Sequence, residues 1–186
     1  MQRTQTLSTT TMIIATSILV LIVLVFSNVM TTQIDPMPVK ISYNDLSPKA
    51  KQQVECLAQN IYFESAYEPQ PGQIAVGMVT MNRVKSEIFP NTICGVVKQK
   101  IRSICQFSWI CQGKFDVKSL THFNYSLYNN IRELAVYVYT NHDKINDPSR
   151  GALFYHADYV HPHWKNVTYL TQIGRHKFYD KKELNQ

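Results

Sequence analysis

The sequence predicts a mainly α-helical domain, α+β at most, standing behind an N-terminal transmembrane helix. Three observations carry that expectation. An uncharged apolar run, MIIATSILVLIVLVFSNVM, fills positions 12–30. Two later stretches, near 47–67 and 73–88, repeat apolar residues at helical spacing. The final third is rich in aromatics and histidine but has little period, so it adds at most short strands. Apolar residues at 45% and charged residues at 17% provide a buried core and exclude a disordered chain.

As a helix, Met12–Met30 reaches about 28 Å, near the hydrocarbon thickness of a bilayer, with apolar residues on every face. Arg3 and the amino terminus precede it, which keeps its start cytoplasmic. Ser27-Asn28-Val29-Met30 makes a poor cleavage site, so an uncleaved anchor is favoured over a signal peptide. The organisation expected is a cytoplasmic tip and signal anchor over 1–31, a proline-containing tether over 32–47, and one domain over 48–186. The membrane is then a partner. The domain faces the periplasmic or cell-wall side, or is exported.

Within the domain, a first helix runs from near Ser47 to Tyr67, with Pro48 at its start and Pro69 just beyond it. Val54, Leu57, Ala58 and Ile61 form its apolar stripe. Glu64 falls about 20° from Leu57, inside that stripe. The segment QIAVGMVTMNRVKSEI is apolar around most of its circumference and reads as a central helix. Asn91 is a candidate cap for a short helix ending near Val97. Residues 99–120 read as a loop-rich excursion, and Asn129–Thr140 as a further helix with Ile131, Leu134 and Val138 on one side. DPSRG marks a turn before the short apolar stretch ALFYH. No internal repeat is visible. Cys56, Cys94, Cys105 and Cys111 pair in one of three ways in an oxidising compartment, or remain buried free thiols.

Glu64 is the leading candidate for chemistry. Partial burial disfavours a charged carboxylate and raises its pKa, which suits proton donation near neutral pH. A glycosidic oxygen leaves readily only when protonated, so such a group beside a sugar cleft has a direct use. The bland reading is a glutamate reaching solvent from a helix end. Glu68, one turn onward, is either a solvated carboxylate or an assistant to Glu64. His156, His161, His163 and His176 fall within 21 residues. They lack an HExxH-type pair, so neither metal nor cofactor is expected. QFSW at 106–109 and HPHW at 161–164 lie in irregular regions able to rim a groove, with Trp109 and Trp164 as sugar platforms or core residues. The net charge of +6 suits a polyanion. The export segment argues against nucleic acid.

Together these residues resemble the cell wall hydrolase family of the spore cortex-lytic enzymes (SleB/CwlJ-like), which includes bacteriophage members. The likeness begins at IYFESAYEPQPGQIAVGMVTMNRVKS, residues 61–86, and continues through FPNTICGVVKQ at 89–99 and CQFSWICQGK at 105–114. GALFYHADYVHPHW at 151–164 and IGRHKFY at 173–179 complete it in order. The resemblance implies a compact lysozyme-like domain that cleaves peptidoglycan glycan strands between N-acetylmuramic acid and N-acetylglucosamine, as a lytic transglycosylase. It places the essential acid on Glu64 and the second glutamate of the motif on Glu68. Gln106, Ser108, Trp109, Tyr155, His156, Trp164 and His176 become candidate supporting or substrate-binding residues. The chain departs from the common pattern at Phe63, Ser65, Ala66 and Tyr67, and Gln112 stands where an aspartate is frequent. The alternatives are a muramidase acting on the same bond, a metal-dependent amidase or peptidase, and a non-catalytic murein-binding or virion structural protein.

Overall fold

Ser47 opens the first helix, α1 (Pro48–Ser65): its hydroxyl accepts a hydrogen bond from the Ala50 backbone amide, and Pro48 occupies the first turn. The structure is a computed structural model that describes residues 41–113 and 117–182. The stripe Val54, Leu57, Ala58 and Ile61 is buried throughout. Its valine, leucine and isoleucine contribute roughly 1.5–3 kcal/mol each when fully buried. Residues 41–47, at the end of the anticipated tether, include a 3₁₀ turn at Tyr43–Asp45, and Tyr43 packs beside Arg132.

After the turn at 66–69, α2 (Gln70–Lys85) runs through the middle of the domain, buried along almost its whole length. Gly77 lets two neighbours close in. A Cβ there would stand 3.1 Å from the Ile61 side chain and 3.4 Å from Val138. α3 (Ile93–Val97) is capped by Thr92 rather than Asn91, because the Thr92 hydroxyl accepts from Gly95 N at 3.1 Å. A Cys56–Cys94 disulfide ties α3 to α1. The excursion that follows is a small hairpin, β1 (Lys100–Ile101) with β2 (Ile104–Cys105), and then a short helix, α4 (Ser108–Cys111). Cys105–Cys111 closes it. α5 (His122–Asn141) begins earlier than its apolar period suggests, since Thr121 caps it. The fully buried Tyr128 donates its hydroxyl to Glu55 of α1.

The C-terminal part corrects the expected fold class. It is a three-stranded antiparallel sheet, β3 (Phe154–Ala157), β4 (Val167–Ile173) and β5 (His176–Lys181), in the order β3-β5-β4. The domain is therefore α+β rather than mainly α. Sequence period failed because aromatics stand on both faces of this sheet, and a bulge between Tyr169 and Thr171 breaks the alternation of β4. The inner face packs Phe178 and Tyr155 against Ala75 and Val79 of α2. The entry to β3 is pinned from α2: Asn82 donates to Asp147 at 2.9 Å and to the Ala152 carbonyl at 3.2 Å.

The membrane reading is corrected as well. Among the described residues no helix is long and apolar enough to cross a membrane. The longest, α5, carries Asn129, Asn130, Arg132 and Glu133 at its middle and is amphipathic. The expected span, Met12–Met30, lies outside the described residues. The membrane partner and the membrane-anchored location rested on that span, and no described helix carries them.

Candidate active site

Glu64 follows Ile61 by three residues and Leu57 by seven, so the helical turn carries it onto the buried side of α1. It is half-buried there. The Tyr155 hydroxyl, projecting from the inner face of β3, donates to Glu64 Oε2 at 3.3 Å. Tyr155 packs against both the helical core and the smaller core under the sheet, so the strand and α1 meet at this residue. Asn60, one turn before Glu64, is fully buried. Its Nδ2 donates to Thr80 Oγ1 at 3.2 Å. Arg83 is buried nearby, its Nε donating to the Leu153 carbonyl at 2.7 Å and its guanidinium lying over the Phe89 and Phe107 rings.

The electrostatics follow from these surroundings. Burial raises the Glu64 pKa above the usual carboxylate range; the Tyr155 hydrogen bond and the Arg83 charge pull it down without cancelling that rise. Burial holds the Tyr155 hydroxyl well above its ordinary value, with the Glu64 charge adding to the effect, so Tyr155 stays a donor. Burial lowers the His176 pKa, which keeps its ring neutral at pH 7. The arrangement is a shielded carboxyl, biased by burial toward holding its proton, whose carboxylate form is steadied by a phenol and a cation.

Glu64, Tyr155 and His176 come together, the last two with ring centroids 5.5 Å apart. Trp109 joins through the residue beside Glu64: its indole stacks on the Phe63 ring at 4.5 Å. Phe63 is 40% exposed and forms an accessible aromatic wall. Gln106 is half-buried and Ser108 exposed on the segment that carries Trp109.

Glu68 does something else. Its carboxylate turns to the β4–β5 turn, accepting from Arg175 N at 3.0 Å and Arg175 Nε at 3.5 Å, and its side chain is only 8% exposed. His156 and Trp164 stand on the other face of the sheet from Tyr155. His156 stacks on Tyr179, and its edge meets Trp164. Among the described residues no three His, Cys, Asp or Glu side chains gather into a metal-binding group. Asn60, Thr80 and Arg83 escaped the sequence reading. Their signal was polarity on buried helical positions: Asn60 sits four residues before Glu64, and Thr80 and Arg83 follow Val76 at helical spacing.

A helix-borne acid packed beneath a small antiparallel sheet defines a class, and comparison with known proteins identifies it. The Cell Wall Hydrolase family matches residues 67–179, and the chain belongs to that family. It is 31% identical over 146 residues to the spore cortex-lytic enzyme of Bacillus subtilis (strain 168), covering 76% of this chain and 39% of that protein. The Bacillus cereus spore cortex-lytic enzyme is 32% identical over 129 residues, covering 67% of this chain and 43% of that protein. The chain thus spans about two fifths of the length of these relatives. Among solved structures, it is similar to the catalytic domain of the germination-specific lytic transglycosylase SleB from Bacillus anthracis. The TM-score is 0.53 and the identity 29%, covering 73% of this chain and 97% of that one. The catalytic domain of the Bacillus cereus SleB protein gives a TM-score of 0.52 at 28% identity, covering 76% of this chain and 96% of that one.

Proposed function

We propose that this chain is a peptidoglycan lytic transglycosylase in which Glu64 is the catalytic acid and then the base. The observation that carries this is the half-buried Glu64 carboxyl, raised in pKa by burial and held by the Tyr155 hydroxyl. Its likeness to the catalytic domain of a lytic transglycosylase over 97% of that domain supports the choice of reaction.

Glu64 gives its proton to the glycosidic oxygen between N-acetylmuramic acid and N-acetylglucosamine, and the bond from that oxygen to the muramic C1 breaks. The N-acetylglucosamine leaves with a free hydroxyl, and positive charge develops at C1. The Glu64 carboxylate, steadied by Tyr155 and by the Arg83 charge, takes the proton of the muramic C6 hydroxyl as O6 closes on C1. An anhydro ring forms, no water is consumed, and Glu64 regains its proton. Hydrolysing glycosidases use a second carboxylate as nucleophile or base. Glu68, the adjacent carboxylate of the motif, is turned to Arg175, which favours the internal route. Phe63, backed by the buried Trp109 indole, supplies an aromatic wall for the sugar.

Mass spectrometry of digested murein tests this. Anhydro-muramyl ends are expected from the unsubstituted chain and none from a folded Glu64→Gln variant. Hydrated reducing ends alone refute the transglycosylase step and leave a muramidase. Undiminished cleavage by Glu64→Gln refutes the residue assignment.

A further inference from the structure

Strand pairing sorts the C-terminal sheet into two unlike faces. Tyr155, Phe178 and His176 point toward α2 and Glu64. Phe154 pairs with Tyr179, Tyr169 with the same Tyr179, and Val167 with Lys181, so these side chains share the opposite face. That outer face is covered with rings in mutual contact. Trp164 meets Phe154 at 5.9 Å, Tyr179 at 5.8 Å and the His156 ring at 5.4 Å. The cluster leaves Trp164 42% and Tyr169 54% exposed. A contiguous aromatic surface held open to water marks an interaction site rather than ordinary packing.

Beside it lies a cavity of about 550 Å³ between Ile88, Phe154, Trp164 and Val167, bordered by His163, Lys165 and Lys181. Among the described residues no acidic side chain lines it. An indole flanked by two lysines matches a ligand with an apolar ring face and nearby carboxylates. A peptidoglycan strand has both: pyranose rings along its backbone and carboxylates on its peptide stems. A purely apolar partner would leave the lysines desolvated without a counter-charge.

We propose that the outer face of this sheet is a second binding site for a peptidoglycan strand. In it Trp164 carries a sugar ring, and Lys165 and Lys181 hold stem carboxylates. The site is distinct from the Glu64 pocket, and its ligand follows from the substrate reading above. It keeps the enzyme on an insoluble polymer between cleavage events.

The test is co-sedimentation with purified murein, in the Glu64→Gln background so that the wall is not consumed. Trp164→Ala weakens binding about tenfold, as expected for a central aromatic anchor. The Lys165→Ala/Lys181→Ala pair, which removes only exposed lysines, weakens it about threefold and reduces its salt dependence. Murein stripped of phosphate-containing polymers still binds. Binding within twofold of the parent for the lysine pair and for a folded Trp164→Ala overturns the site, as does binding that vanishes on stripping. Digestion by the unsubstituted chain is scored separately. Tryptophan-dependent binding without soluble fragments refutes the catalytic reading and upholds this site, whereas fragment release with indifferent binding refutes the site alone.

Discussion

Gly174 offers a sharp test of how the sheet is fastened over the catalytic helix. It lies at φ +54° in the β4–β5 turn, and a Cβ placed there would stand 1.9 Å from Glu68 Oε2. Gly174→Ala therefore meets two penalties. The left-handed backbone costs an alanine about 1–2 kcal/mol. The Glu68 carboxylate, itself only 8% exposed, must also leave the Arg175 backbone amide, a charge-assisted hydrogen bond worth about 1.5–3 kcal/mol. The combined loss is about 2.5–5 kcal/mol, read by equilibrium urea unfolding of the parent and the variant. A double-mutant cycle separates the two parts. In a Glu68→Ala background the same glycine substitution should cost only the backbone share, about 1–2 kcal/mol. A loss below about 1 kcal/mol in the parent refutes the reasoning, and so does a loss that Glu68→Ala leaves unchanged.

Three further outcomes are expected. Tyr155→Phe removes a donor that favours the Glu64 carboxylate, so the Glu64 pKa rises and the high-pH limb of murein-cleavage activity moves to higher pH; a limb that stays put or falls contradicts this. Glu64 has a folded-state pKa above its unfolded value. Its stabilising contribution is thus full below the unfolded pKa and is lost as pH rises through the folded one. Thermal unfolding should accordingly show Glu64→Gln gaining stability relative to the parent as pH rises above the ordinary glutamate range. Finally, Cys56–Cys94 spans 38 residues and Cys105–Cys111 spans 6, so chain entropy assigns them about 4 and about 2 kcal/mol. Replacing each pair with alanine, followed by urea unfolding, should show the larger loss for Cys56/Cys94.

The helical half was legible in the sequence because each helix carries its own signals. Ser47-Pro48 announces α1, and an apolar stripe at helical spacing orients it closely enough to place Glu64 among buried neighbours. α2 declared its central position by being apolar all round. The sheet was not legible, because its residues answer to partners rather than to their own period. His176 and Phe178 turn inward only because β5 lies between β3 and β4, and the bulge in β4 erases alternation. The same cause hid half of the candidate site. Glu64 could be singled out from one helix, whereas Arg83 matters through its approach to Tyr155, 72 positions later in the chain. Glu68 shows the converse. Motif spacing puts it beside Glu64, and a tertiary contact with Arg175 turns it away.

The acidity of Glu64 results from a competition that the fold sets up rather than from any one neighbour. Arg83 and Tyr155 both favour the carboxylate, and together they do not outweigh burial. This balance suits a residue that must act twice. Without burial it would be ionised at neutral pH and have no proton to give. Without the phenol and the cation, the carboxylate left after donation would be an uncompensated buried charge and would reclaim the proton from the leaving group. Arg83 can fill that role because it does not form a direct ion pair with Glu64. Its Nε is held by the Leu153 carbonyl, and Phe89 and Phe107 flank its guanidinium. A contact pair would hold Glu64 ionised, while a cation kept at one remove lowers the energy of the carboxylate without cancelling the upward shift that burial gives. That Arg83 binds the carbonyl just before β3 means the same side chain positions Tyr155, so the strand and the charge on which Glu64 depends are fixed by one residue.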